Sequence, residues 1–207
     1  FMLGLPTETD EDVLGIADLA EKVYKTWRES TPDPKRGVRI TVSTAYFVPK
    51  PHTAFQWEGQ ISEEEYQRRV KLLRDNMRGR SIQYNWHESD TSVLEAVFAR
   101  GDRRVADVIE WAWEHGARFD AWSEYFSMDR WREAFTACGL DMAFYANRVR
   151  EKEEVLPWSV ISTGVSTKFL WREREQCYKG VITPDCRRQC TGCGADKLYP
   201  GGVCDAQ

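Results

Sequence analysis

The stretch Phe1-Met2-Leu3-Gly4-Leu5-Pro6-Thr7-Glu8-Thr9-Asp10-Glu11-Asp12 decides how the rest of the chain is read. An apolar run breaks at glycine and proline and gives way at once to acidic residues, the pattern of a buried strand turning into a helix. Thr9 suits the N-cap and the carboxylates at 10–12 suit the positive helix terminus. Val13, Ile16, Ala17, Ala20 and Val23 then recur at helical spacing towards Trp27. A strand inside a parallel sheet needs neighbours on both sides for its backbone groups, so earlier strands are expected to precede this one in a longer polypeptide.

Working outward, the linker Ser30–Gly37 leads to Val38–Ser43, whose alternation and β-branched residues predict a second strand. Phe47-Val48-Pro49-Lys50-Pro51-His52-Thr53 follows as a stiff loop at that strand's carboxyl end. Ser62-Glu63-Glu64-Glu65 has the spacing of a capping box, and Tyr66, Val70 and Leu73 carry a helix towards Gly79. Ser81–Trp86 completes a strand–helix–strand–helix–strand pattern, which implies parallel pairing through right-handed crossovers. Beyond residue 88 the period is helical: Ser92–Arg100, Arg103–His115, Met128–Cys138 and Asp141–Arg150, with Gly101, Gly116 and Gly139 as stops. Pro157 marks a joint, and Ser166 caps a helix running to Arg174. Three regions result: 1–87, α/β; 88–175, helical; and 176–207, rich in cysteine.

Composition narrows the class. Hydrophobic residues make up 42% of the 207 and charged residues 30%, which excludes wholesale disorder, and no apolar run is long enough for a membrane-spanning helix. A net charge of -4 argues against a generally cationic nucleic-acid binder. Residues 1–137 hold no cysteine, whereas Cys177, Cys186, Cys190, Cys193 and Cys204 crowd the carboxyl end. A disulfide scaffold would staple the whole chain, so this clustering favours metal ligation in a reducing compartment, the cytoplasm. Cys186, Cys190 and Cys193, with Cys204 as a fourth thiolate and Cys177 as its competitor, are the candidate metal ligands. Gly192 and Gly194 permit the tight turn that such a site needs. Zinc and an iron–sulfur cluster both suit this donor set. Cys138 reads as an inert core thiol.

Met2-Leu3-Gly4-Leu5-Pro6-Thr7-Glu8-Thr9 resembles the strand end found in many radical S-adenosylmethionine enzymes, and Phe47–Gln56 resembles the loop after the last barrel strand of that superfamily. Ser92–Arg104, with Phe119-Asp120-Ala121-Trp122-Ser123-Glu124, is similar to an uncharacterised bacterial family in which a cobalamin-binding-like domain precedes the radical S-adenosylmethionine domain. The resemblance implies that residues 1–87 are the last strands and helices of a partial (βα) barrel, that Gly4, Leu5 and Pro6 approach the adenosine, and that Lys50, His52 and Thr53 face the substrate. It further implies S-adenosylmethionine and a [4Fe-4S] cluster in the full-length enzyme, with cobalamin-linked methyl transfer or a related radical modification as its reaction. The superfamily's radical-generating cysteine triad belongs after the first barrel strand. Only fourteen residues follow Cys193, too few to build a barrel, so Cys186, Cys190 and Cys193 read as an auxiliary site. The remaining, N-terminal part of the polypeptide is then the chain's first partner, and the fragment alone is expected to be inactive.

Other readings stay open on the residues alone. The cysteine tail also fits a zinc knuckle whose Arg172, Arg174, Lys179, Arg187 and Arg188 touch RNA. Asp120 and Glu124 beside Trp122 and Tyr125 suggest acid–base chemistry on a sugar, although carboxylates four apart more often mark a solvated face. A structural docking piece, with tryptophans packing a helical core, is the plainest alternative.

Overall fold

The computed structural model describes residues 1–33 and 35–198, which divide into two compact units: residues 1–48 with 60–94, and residues 49–59 with 95 onward. The first unit is α/β. Its elements run β1 (Met2–Leu3), α1 (Asp10–Ser30), β2 (Ile40–Tyr46), α2 (Glu63–Asn76) and β3 (Ile82–Trp86). The strands are parallel and lie in the order β1-β2-β3.

Register explains which face is covered. Val42 pairs with Tyr84, Thr44 with Trp86, and Leu3 with Tyr46 on one face, where Val42, Tyr46 and Leu3 join Val13, Ile16, Tyr66, Val70 and Leu73 in one apolar cluster. Burying each such large side chain contributes roughly 1.5–3 kcal/mol. Tyr46 stacks on Tyr66 with ring centroids 4.1 Å apart, and its hydroxyl donates to the Ile61 carbonyl. The opposite face pairs Thr41 with Gln83, Ser43 with Asn85 and Ala45 with Met2; Thr41, Ser43, Gln83 and Asn85 are all exposed.

Helix starts follow local chemistry. Thr9 and Asp12 form a reciprocal capping box at α1, and Ser62 accepts from the Glu65 N–H at α2. The Glu65 carboxylate does not reach back to complete the second box, because Arg68 and Arg69 both take it. The expected strand at 38–43 begins two residues later and runs three residues further, to Tyr46, since Ile40 is the first residue in register with β3 and Tyr46 pairs with Leu3. The opening run is not flanked on both sides: β1 is an edge strand among the described residues, with Phe1 58% and Met2 51% exposed.

Helix α3 (Ser89–Arg100) begins in the first unit and ends in the second. The second unit adds α4 (Val105–Glu114), α5 (Met128–Ala137), α6 (Met142–Ala146) and α7 (Thr167–Tyr178). Trp57, Leu156, Trp158 and Leu170 form an apolar cluster there, with Trp171 edge-on to Trp57 at 5.0 Å. The helix expected over Asp141–Arg150 stops at Ala146 because the chain then turns to serve other bonds. The Arg150 N–H donates to the Trp57 carbonyl at 2.7 Å, and the Arg148 carbonyl accepts from the Arg100 guanidinium at 2.8 Å. Gly59 permits this approach, since a Cβ there would lie 2.0 Å from the Asn147 carbonyl oxygen. Among the described residues no helix is long and apolar enough to cross a membrane.

Candidate functional site

In the first unit, the strand end Gly4-Leu5-Pro6 is a built turn. Gly4 has φ 98°, and a Cβ on it would press to 2.9 Å from the Ile61 side chain. Its N–H donates to the Glu8 carboxylate at 2.8 Å, and Glu8, with a side chain only 7% exposed, is ion-paired with Arg69. Glu8 is therefore a buried strut rather than a simple helix-start residue, and the Gly4 N–H is already committed to it. Leu5 and Pro6 are half-buried.

In the second unit, Lys50, His52 and Thr53 take three different positions. Lys50 is ion-paired with Glu95, and the Thr53 hydroxyl donates to the Lys50 carbonyl at 2.8 Å. Only His52 of the three lines a cavity of about 440 Å³, shared with Gln56, Trp57, Lys152, Trp158 and Ser166. His52 is held at φ 57°, in the left-handed region, with its N–H donating to Gln56 Oε1 at 3.0 Å. The same oxygen accepts from Trp158 Nε1 at 2.7 Å, so one buried amide fixes both walls. His52 Nε2 and Trp57 Nε1 are buried in the wall without a hydrogen-bond partner. The Glu154 carboxylate at the rim is occupied by a bidentate pair to Arg148 at 2.7 Å on each oxygen.

Beside the cavity runs a set of buried arginines. Arg100, fully buried, donates to the Glu58 and Arg148 carbonyls, and Arg150 donates to the Arg100 carbonyl at 3.1 Å. Burial, together with the Arg150 and Arg148 charges, pushes Arg100 down to about 9, which leaves it cationic at neutrality. Glu58 belongs to no motif in the sequence, and Gln56 and Arg100 enter it only as members of longer stretches, with no role in a site. The available signal was polar residues set between aromatics at 55–58, and an arginine closing an otherwise apolar helix face.

The cysteine loop is latched to α7. The Ser166 N–H donates to the Cys193 carbonyl at 2.8 Å, and Arg172 donates to the Thr191 carbonyl at 2.6 Å. Gly192 and Gly194 adopt φ 69° and 97°, as the tight turn requires. Cys186 and Cys190 are exposed and Cys193 and Cys177 half-buried; Cys204 lies outside the described residues. Among the described residues no three His, Cys, Asp or Glu side chains are gathered as metal ligands. The donor chemistry suits a soft metal, but this arrangement does not assemble a site from the described residues alone.

Asp120 accepts from Trp131 Nε1 at 2.8 Å and pins the loop before α5, while Glu124 is exposed. That pair is structural in form. Asp102 and Arg104 form a surface ion pair at 2.6 Å.

No protein-family model and no solved structure matches the chain. It is similar to the uncharacterized protein MJ0966 of Methanocaldococcus jannaschii, 26% identical over 113 residues, which amount to 54% of this chain and 22% of that protein. The chain thus spans well under two thirds of this relative's length.

Proposed function

We propose that this chain is the carboxyl-terminal part of a radical S-adenosylmethionine enzyme, with residues 1–87 as the closing strands and helices of a partial (βα) barrel. One observation carries the reading. Three parallel strands in the sequential order β1-β2-β3 place each crossover on the same side, and α1 and α2 pack together over the face bearing Val42 and Tyr46. The other face presents Thr41, Ser43, Gln83 and Asn85 uncovered, which is unusual for an open parallel sheet and suits a partial barrel whose inner face meets a bound molecule. The strand-end residues quoted above supply the resemblance that names the chemistry.

In this reading, S-adenosylmethionine and its iron–sulfur cluster supply the radical chemistry when bound. This chain's residues supply walls. The Glu8–Arg69 pair stiffens the Gly4-Leu5-Pro6 turn, and the inner-face side chains orient a bound molecule through neutral hydrogen bonds. Cys186, Cys190, Cys193 and Cys204 would hold an auxiliary iron–sulfur cluster or zinc, and no step is assigned to that centre. In the complete polypeptide, anaerobic incubation with S-adenosylmethionine and reductant is expected to release 5′-deoxyadenosine. Asn85→Leu should lower that release about tenfold without loss of iron. Absence of any adenosyl cleavage in an iron-replete preparation would refute the assignment.

A further inference from the structure

The second cavity of the second unit lies against α7 and the cysteine loop. It measures about 450 Å³, within the range of small-ligand sites, and is lined by Lys152, Lys168, Phe169, Trp171, Arg172 and Gly192. Ser166 and Lys152 also line the cavity that His52 faces, so the two share a wall.

Its charge is unbalanced. Three cations line it against one carboxylate, Glu175, which accepts from Trp171 Nε1 at 3.0 Å. Arg172 is partly compensated, with Glu173 3.6 Å away and the Thr191 carbonyl accepting from Nη2. Lys152 and Lys168 have no ion pair among the described residues. Aromatic rings seat two of the cations: the Lys152 ammonium lies 5.3 Å from the Trp171 ring centre, and the Arg172 guanidinium 4.9 Å from that of Phe169. Both heads are therefore positioned over apolar wall, and of the two only Arg172 also has a carboxylate, that of Glu173, within ion-pair distance among the described residues. Within the same cavity, α7 begins. Ser166 caps the Phe169 N–H, while the Thr167 and Lys168 N–H groups precede the first turn's carbonyl acceptors.

Two unpaired ammonium groups, a third partly free guanidinium and a helix amino terminus match the charge and oxygen count of a phosphate dianion better than those of a single carboxylate. The adjacent Phe169 and Trp171 edges offer an apolar surface to the carbon skeleton that bears it. We infer that this cavity is a binding site for the phosphate group of a phosphorylated small molecule, seated by Lys152, Lys168 and Arg172 next to the cysteine loop. The inference does not depend on the barrel reading, because every residue it uses lies in the second unit.

Titration calorimetry of the protein with pyrophosphate, at constant ionic strength set by chloride, tests it. Saturable binding is expected, weakened about tenfold by Lys168→Gln and by Lys152→Gln. Lys179→Gln, at the opposite end of α7, should leave it unchanged. Equal weakening by Lys179→Gln would reduce the effect to general surface charge and overturn the site, as would the absence of saturable binding. A parallel titration with oligouridylate separates the sources of phosphate. RNA displaced by pyrophosphate uses this same pocket, whereas RNA that pyrophosphate neither displaces nor weakens, alongside no pyrophosphate binding of its own, overturns the small-molecule assignment.

Discussion

In the first unit, distant segments are joined by a parallel strand ladder and an apolar layer between sheet and helices; in the second, side-chain donors reach across long stretches of chain to carbonyls and carboxylates. Arg100 spans 42 and 48 residues to its acceptors, Trp158 spans 102 to Gln56, and Arg174 spans 116 to Glu58. The difference follows from composition. Strands satisfy backbone groups pairwise, and the buried polar residues of the first unit, Thr44, Gln60, Ser89 and Ser92, are uncharged, whereas those of the second include Glu58, Arg100 and Arg150. Irregular segments such as 56–59 and 148–150 leave carbonyls to be satisfied by whatever donor can reach them, and a guanidinium with five N–H groups is well suited to that.

The sharpest break of this contrast is Arg100→Met. It leaves the Glu58 and Arg148 carbonyls without their donor and is expected to destabilise the second unit by about 4 kcal/mol. Denaturant unfolding would measure the loss, and hydrogen exchange should rise first at 56–59 and 148–150. A near-neutral result would mean that the arginine is replaceable by packing alone. In the first unit, Leu73→Ala removes a fully buried side chain from the apolar layer and should cost about 3 kcal/mol, with exchange rising in α2 and β2.

The smallest effect is a divergence with pH. Burial raises the Tyr46 and Tyr66 hydroxyls above their ordinary value of 10.0, so their contribution is present below that value and is lost as pH rises towards their folded values. Arg100 runs the other way. Its folded value, about 9, lies well below that of an ordinary guanidinium, so the unfolded chain holds the extra proton between the two values, and folding is favoured as pH rises through them. In acid, hydrogen bonds from Arg68 and Arg69 hold Glu65 at about 2 against an ordinary 4.5; its contribution is full above the ordinary value and is lost as pH falls towards 2. Hydrogen exchange above pH 10.0 should therefore accelerate in β2 and α2 before 148–150; the reverse order would contradict the assignment.

Particular residues show how much the sequence disclosed. Thr9, Ser62 and Ser166 are N-caps that could be read from the few residues around them, since a cap is completed within one turn. The same holds for the positive φ at Gly192 and Gly194. His52 was legible as a loop residue of interest, but Lys50 and Thr53 were not separable from it, because which of three neighbours lines a cavity depends on the segment 152–170. The shortness of α6 was hidden for a related reason: its continuation was helical by pattern, and competing bonds from Arg100 and Trp57 ended it.

The amino acids by themselves determined the alternation of strand and helix, the helix starts at Thr9, Ser62 and Ser166 and the polar and apolar alternation of β2, because periodicity and capping act over a few residues. Tertiary structure alone decided the burial of Arg100, the Gln56 clamp and the basic cavity against α7. Each of these depends on a donor meeting an acceptor, or a charge lacking one, across tens of residues, and no local pattern encodes such a meeting.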